Sequence, residues 1–275
     1  MSGNGKGRAF SLHLLISASV LSLLLFLVRY LWFPMPYFVA DGGWQGTRIV
    51  AAITLVLGPV LTLVVHRRGK SRRALLLDYG VISLLQVTAL AFGVWTVFSQ
   101  RTVLMVFADG SFYSVDAQSA VRMGESAASI RTASPSSPAY AVVPMPDDPD
   151  QRQQMRVDAL QTGRALYTRG ELLQPLDAKR LAALRAYELD IVSTAGDDPG
   201  RRKELEDFRA AHEEDWEDLV FLPATCSYRT LVLALHRDDG RLGGWLNIPS
   251  GPQHKLKHKP PRVTAVPGAV EEGEL

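Results

Sequence analysis

Cysteine is nearly absent from this sequence, which has a single one among its 275 residues. One cysteine excludes a framework of disulfides within the chain. We therefore expect Cys226 to be a small buried side chain in a strand. An interchain bridge and a reactive thiol are the alternatives for this residue.

Motifs of catalysis are missing as well. The sequence has no Gly-x-Ser-x-Gly elbow, no P-loop and no His-Glu-x-x-His. His254 and His258 have a spacing that suits a metal, but they lie in a lysine-rich segment that ends in Pro260-Pro261, where a preformed site is not expected. We therefore expect no enzyme activity, no cofactor and no metal.

An excess of charge of one sign is also lacking. The net charge is only +2, and acidic residues are mixed through the C-terminal part of the chain. Recognition of nucleic acid needs a basic face on the folded domain. We therefore expect no nucleic-acid partner.

Long apolar stretches, by contrast, fill the first third of the chain, at about residues 12–33, 49–65 and 79–98. Each has roughly 17–22 residues, which is enough for a helix to cross a hydrocarbon core of ~30 Å. A cleaved signal peptide is the alternative for the first stretch. That stretch is too long for such a peptide, and no Ala-x-Ala site follows it. The pattern predicts three transmembrane helices.

The distribution of basic residues predicts how these helices are oriented. Residues 66–73 include five Lys and Arg, whereas residues 34–46 include none. Short loops rich in Lys and Arg stay in the cytoplasm. We therefore expect an inner-membrane protein with a cytoplasmic N-terminus and a periplasmic domain that begins near Gln100.

Two turn signals predict antiparallel hairpins in this domain. Asp109-Gly110 separates the apolar runs 103–107 and 112–115, and Asp239-Gly240 precedes the run 242–248. Further strands are predicted at 139–143, 219–226 and 228–236, and in the last of these we expect the side chains of Leu231, Leu233 and Leu235 to share a face.

Helices are predicted from Pro149 to about Gln161 and over residues 200–215. The spacing of Leu181, Leu184, Tyr187 and Ile191 predicts one apolar helical face. Residues 117–138, rich in Ala, Ser and Gly, are predicted to form a loose loop.

The predicted fold is a membrane-anchored α+β protein, in which three transmembrane helices precede a small periplasmic α+β domain with antiparallel hairpins. Residues 1–100 form the transmembrane domain, 101–250 the periplasmic domain, and 251–275 a disordered tail. The tail assignment follows from a composition rich in Pro and charge, without apolar periodicity.

Several motifs in the first third resemble those of a known family. They are Trp32-Phe33-Pro34-x-Pro36, Gly42-Gly43-Trp44 and Gly58-Pro59-Val60-Leu61-Thr62-Leu63, followed by Lys70, Asp78, Gln86 and Gly93. The chain is similar here to the type IV pilin accessory proteins of the TfpX/TfpZ kind, although Trp-Tyr-Pro is more usual in that family than Trp32-Phe33-Pro34. The resemblance is most specific over residues 10–108.

The resemblance implies a non-enzymatic, chaperone-like protein of the inner membrane that aids the stability or assembly of a cognate type IV pilin. The candidate contacts with the pilin helix are Gly58, Pro59, Asp78, Gln86 and Gly93. Small residues permit close helix packing, and an amide inside the bilayer can bond a neighbouring helix. In the alternative interpretation these residues pack the protein's own helices, and Asp78 lies at the membrane interface. The remaining partner is inner-membrane lipid.

Two other functions are compatible with the sequence. A membrane-anchored sensor would bind a ligand in the periplasm, but its cytoplasmic side would consist only of a short loop and tail. An envelope enzyme would need a nucleophile and base, or a metal site, and no such pattern is recognisable.

Overall fold

The structure is a computed structural model that describes residues 4–52 and 72–249. Its α-helices are α1 Asn4–Phe26, α2 Tyr37–Ala40, α3 Gly43–Ala52, α4 Arg72–Ser99, α5 Ala117–Arg122, α6 Glu125–Ala133, α7 Pro149–Thr162, α8 Ala178–Leu184, α9 Ile191–Ala195 and α10 Pro199–Ala211. Its strands are β1 Thr102–Ala108, β2 Ser111–Asp116, β3 Ala139–Val142, β4 Gln174–Pro175, β5 Leu219–Thr225, β6 Thr230–His236 and β7 Leu242–Leu246.

Two described helical segments are long and apolar enough to cross a membrane, by length and composition: Leu14–Trp32 and Leu76–Ser99. Only 17% and 11% of their most apolar windows are buried, so neither resembles the core helix of a soluble protein. The predicted second span begins in α3, and from residue 53 onward it lies outside the described residues. The structure therefore supports two of the three predicted spans as candidates.

The first of these segments changes its winding before it ends. After α1, the chain forms a six-residue π-helix, Leu27–Trp32, which stops just before Pro34. Proline lacks the backbone N–H that a helix interior needs. The helical segment therefore ends where Pro34 and Pro36 follow.

The soluble part is built on a seven-stranded sheet with the order β4-β3-β1-β2-β5-β6-β7. The predicted hairpins are confirmed, because β1 pairs with β2, and β6 with β5 and β7, in antiparallel fashion. Two parallel pairs, β1 with β3 and β2 with β5, make the sheet mixed, which the sequence did not predict. The short β2–β5 pair joins the two halves of the sheet.

Both faces of this sheet are buried. One face carries Met105, Phe107, Phe112 and the predicted trio Leu231, Leu233 and Leu235, covered by α2 and α8. On the opposite face, α5 and α6 cover β1 and β3. The helices α9 and α10 cover β5, β6 and β7 there. Strands buried on both faces read as continuous apolar runs, as β1 and β6 do.

Two local predictions were wrong. Residues 117–138 are not a loose loop, since α5 and α6 occupy most of the segment and bury Ala120, Ala127 and Ile130 against the sheet. Alanine favours helix and packs closely, which outweighs the serine-rich composition. The apolar face predicted from Leu181 to Ile191 is interrupted, because the helix ends near Tyr187 and Ile191 packs in the cluster on the other side of the sheet.

A buried ion pair lies near the start of β5. Arg237 Nη2 lies 3.0 Å from Glu188 Oε1, and the Glu188 side chain is only 1% exposed. The same arginine donates to the backbone oxygens of Glu217 and Leu219. These bonds fix the segment between α8 and α9 to the start of β5. The predicted disordered tail lies outside the described residues.

Candidate functional site

A buried carboxylate connects the segment after α1 with the sheet. Asp41 is 6% exposed and accepts three hydrogen bonds. Thr102 Oγ1 donates to Oδ2 at 2.7 Å, Ser114 Oγ donates to Oδ1 at 2.6 Å, and the Ser227 backbone N–H donates to Oδ1 at 2.8 Å. These donors belong to β1, β2 and the β5–β6 turn, so one side chain ties three parts of the sheet together.

No Lys or Arg within the described ranges lies in ion-pair distance of this carboxylate. A buried charge is costly unless hydrogen bonds replace its hydration. Three neutral donors perform that role here. We call this set of residues the Asp41 junction: Tyr37, Ala40, Asp41 and Gly42 on the side of the helices, and Thr102, Ser114, Ser227 and Tyr228 on the side of the sheet.

Three further contacts extend the Asp41 junction. The hydroxyls of Tyr37 and Tyr140 lie 2.8 Å apart in the core. The Tyr228 backbone N–H donates to the Ala40 carbonyl at 2.9 Å. Gly42 has a φ of +92°, and a Cβ there would come within 2.5 Å of the Tyr228 ring. A glycine is therefore required at the point where the chain turns from α2 into α3.

The lone cysteine lies next to the Asp41 junction. Cys226 is buried immediately after β5, as predicted for a small apolar side chain. Burial raises the pKa of the Cys226 thiol well above its usual value, and the Asp41 carboxylate raises it further. A protonated, buried thiol is a poor nucleophile, which argues against the reactive-thiol alternative.

The described apolar helices pack on one another just beneath this junction. A Cβ on Gly46 would come within 2.9 Å of Val97, and one on Gly93 within 3.3 Å of Val50. The Trp32 and Phe98 rings meet edge-on at 5.0 Å. Small residues thus allow α3 and α4 to approach each other closely.

The predicted pilin-contact residues are distributed along different parts of the chain. Gly58 and Pro59 lie outside the described residues. Asp78 and Gln86 are half-buried on α4. Gly93 lies against Val50 of α3, so the structure places it in a contact within the chain.

Large apolar side chains remain exposed on α1 and α4. Leu76, Leu77, Leu84, Phe92 and Trp95 of α4 are each at least 67% exposed. On α1 and the π-helix, Leu15, Leu23, Tyr30 and Leu31 are exposed to a similar extent. Apolar surface of this extent indicates contact with lipid or with another protein.

Sequence reasoning missed the Asp41 junction. Neither Asp41 nor Tyr37 belongs to a site predicted from the sequence. The available signal was a lone acidic residue beside Gly42-Gly43, in a segment that is otherwise uncharged. Its donors lie in distant parts of the sequence, so no local pattern reveals the pairing. Among the described residues, no cluster of His, Cys, Asp and Glu has the geometry to hold a metal ion.

Comparison with known proteins supports a role in pilus biogenesis. The model of a family described as fimbrial assembly protein FimB matches residues 2–42, a stretch that includes α1 and Asp41. The chain is 28% identical over 96 residues to a fimbrial assembly protein of serogroups C1 and C2 from Dichelobacter nodosus, covering 35% of this chain and 73% of that protein. The protein of serogroup I from the same organism is also 28% identical, and that of serogroup E1 is 27% identical, each over 96 residues.

The match covers only part of this chain and only part of its relatives. It includes 35% of this chain and only 37% of the serogroup I and E1 proteins, so it spans little more than a third of those two relatives. No solved structure matches the chain.

Proposed function

We propose, from the premise that its relatives are fimbrial assembly proteins, that this protein is a chaperone-like accessory protein of the bacterial inner membrane. In this proposal it resembles the TfpX/TfpZ kind and aids the stability or assembly of a cognate type IV pilin. It acts by binding and not by catalysis.

The Asp41 junction is the observation that carries this proposal. A pilin awaiting assembly has a long apolar helix in the membrane and a globular head outside it. A protein that binds both parts needs an apolar surface for the helix and a water-exposed surface for the head, at a fixed separation. The three hydrogen bonds to Asp41 hold the exposed apolar helices and the sheet domain in one fixed arrangement.

The proposed topology has the N-terminus in the cytoplasm and the sheet domain in the periplasm. The basic segment 66–73 supports it. Alkaline phosphatase fused at Gly196 is expected to be active, as is a fusion at Gly43. A silent fusion at Gly196 would put the sheet domain on the side opposite to a pilin head and overturn the proposal.

The proposed contact in the membrane is the face of α4 around Gln86. Gln86 is half-buried, and its neighbours Leu84 and Leu85 are 69% and 60% exposed. Photo-crosslinkers at Leu84 and Leu85 are expected to capture the pilin helix. A matched crosslinker at Leu205, the buried residue of α10 that packs against the sheet, serves as the negative control. Crosslinks from α4 only to other residues of this chain would argue against a pilin contact in the membrane and assign the pilin contact to the sheet domain.

The function itself is tested in a clean deletion strain. We expect fewer surface pili and less pilin, both restored by the wild-type gene. Replacing the cognate pilin with one from another strain should remove the dependence on this protein if recognition is specific. Unchanged pilus recovery and pilin level in the deletion strain would contradict the proposal.

A further inference from the structure

An open cavity of about 410 Å³ lies beside the start of β1, and it is lined by Arg101 and Val103, the two neighbours of Thr102 in the chain. It is bounded by the end of α6 and by the loop that leads to β3. Its polar lining consists of two arginines and four hydroxyl residues: Arg101, Arg131, Thr132, Ser134, Ser136 and Ser137. We call this cavity the arginine pocket.

The two arginines of this pocket have no acidic partner among the described residues, unlike many arginines of the sheet domain. Arg156, Arg164, Arg180, Arg202, Arg237 and Arg241 each pair with an Asp or Glu. Arg101 instead lies over the Phe98 ring, 3.6 Å from its centroid, and donates to the Phe98 carbonyl. Partial burial lowers the pKa of Arg101, and the positive charge of Arg131 lowers it further. The two charges therefore repel each other across a space that nothing described neutralises.

The loop that lines the pocket is held by its own hydrogen bonds. The Ser134 and Ser136 hydroxyls lie 3.1 Å apart, and Ser136 Oγ donates to the Pro138 carbonyl at 3.1 Å. The loop is thereby shaped without help from the arginines. Residues of this loop line the cavity together with the two arginines.

The pocket also has a defined position along the chain. Arg101 comes two residues after Ser99, where the candidate membrane span Leu76–Ser99 ends. Phe98, beneath the Arg101 guanidinium, is an aromatic residue at the end of that span. In the proposed membrane topology, on which this step rests, the pocket opens at the level of the lipid headgroups.

We propose that the arginine pocket binds the phosphate group of an anionic lipid headgroup, with Arg101 and Arg131 as the cationic ligands. Arg presents a planar fork of donors that matches phosphate oxygens in pairs. Thr132, Ser134 and Ser136 use their hydroxyl protons in local hydrogen bonds, so Ser137 is the hydroxyl residue of the pocket that adds a neutral donor. A soluble phosphate-bearing molecule offers the same chemistry, so the two sources are distinguished by experiment.

The test uses the purified full-length chain in two parallel assays. In the first, native mass spectrometry measures retention of phosphatidylglycerol, with phosphatidylcholine as the comparison lipid. In the second, inorganic phosphate is titrated while the thermal unfolding midpoint is measured. The variant is the double substitution Arg101→Gln with Arg131→Gln. Arg122→Gln is the matched control, because it removes an exposed arginine outside the pocket.

We expect the double variant to bind phosphatidylglycerol about tenfold more weakly or worse, since bonds to a charged group are involved, while Arg122→Gln binds as the wild type does. Loss of phosphate stabilisation with unchanged lipid retention would assign the pocket to a soluble phosphate. Equal binding by wild type and double variant in both assays would overturn the proposal. The single variant Arg131→Gln keeps the Phe98 contact of Arg101, so a loss there cannot come from misfolding at that contact. These assays need no pilin, and their outcome is independent of the pilus-recovery test.

Discussion

Asp41 accepts a hydrogen bond from the Ser227 backbone N–H at 2.8 Å, although 186 positions separate the two residues. The same carboxylate oxygen accepts the Ser114 hydroxyl. The segment between the first two apolar stretches is therefore part of the folded sheet domain. A domain boundary at residue 100 would separate this segment from Ser114 and Ser227, to which Asp41 is hydrogen-bonded.

Removal of the Asp41 carboxylate is expected to destabilise the protein strongly. Asp41→Ala leaves the donors of Thr102, Ser114 and Ser227 unpaired, and each unpaired buried donor costs about 1–3 kcal/mol. Asp41→Asn keeps one acceptor oxygen and should lose less. Denaturant unfolding of the full chain in detergent, followed by tryptophan fluorescence, measures both. Glu206→Ala, on the exposed face of α10, is the control and should change little; an equal loss in all three variants would argue against the junction.

The Tyr37–Tyr140 contact is expected to show energetic coupling. Tyr37→Phe or Tyr140→Phe leaves one buried hydroxyl without its partner, at a cost of about 1–2 kcal/mol each. The double variant removes both hydroxyls and should cost less than the sum of the single variants. A double-mutant cycle on unfolding free energies measures this. Simple additivity would indicate that the 2.8 Å contact contributes nothing.

The same tyrosines predict loss of stability in alkaline solution. Burial raises the pKa of Tyr37 and of Tyr140 above the usual value of 10.0 for a phenol. Above about pH 10 the unfolded chain releases these protons and the folded chain keeps them, so stability falls as the pH rises. The double Phe variant should show a shallower decline between pH 9 and 11. Parallel curves for wild type and variant would contradict the prediction.

A side chain at Gly42 is expected to disturb the Asp41 junction. Gly42→Ala combines a φ of +92° with a contact of 2.5 Å to the Tyr228 ring, and we expect a loss of more than about 1 kcal/mol. Gly80→Ala on α4 is the matched control, because a Cβ there meets nothing within 4 Å. Alanine also favours helix, so the control should be neutral or slightly stabilising. The unfolding midpoints of the two variants are compared: a lower midpoint for Gly42→Ala alone supports the prediction, and equal midpoints contradict it.

Cys226 is expected to react slowly and to remain unpaired. Because burial raises the pKa of its thiol, little thiolate is present at neutral pH. Labelling with a maleimide should be slow in the folded protein and fast after denaturation. Cys226→Ser should keep pilus function, with a modest loss of stability from a hydroxyl in apolar surroundings. A disulfide dimer on a non-reducing gel, lost together with function in the variant, would refute this assignment.

Local patterns predicted the hairpins and the helices α7 and α10, because the determining residues are neighbours in sequence. Asp109-Gly110 forms the turn of the β1–β2 hairpin, and Asp148 is the N-cap of α7, which begins at Pro149. The turn at Asp239-Gly240 is likewise followed by β7. Turn and cap chemistry acts over a few residues and is therefore legible in a single sequence.

The mixed order of the sheet and the Asp41 junction could not be predicted in this way. The β2–β5 pair joins Phe112 to Ala224, and Thr102, Ser114 and Ser227 meet at Asp41 only after the sheet has formed. Among the predicted contact residues, Gly93 lies against Val50 of this chain, and its contact with a pilin stays a prediction. The arginine pocket depends in the same way on bringing α6 next to the start of β1.

The parallel pairing of β2 with β5 also determines the order in which the molecule can be completed during synthesis. β1, β2 and β3 lie early in the chain, whereas β5 follows β2 by about a hundred residues of other structure. Until β5 emerges from the ribosome, β2 has an unpaired strand edge. Asp41 and the apolar helix that precedes it are then already synthesised, but Ser227, which donates a hydrogen bond to Asp41, is not. A nascent chain cut short before residue 219 would therefore carry a complete first helix and half a sheet with an unprotected edge. Such products are prone to aggregation and to proteolysis.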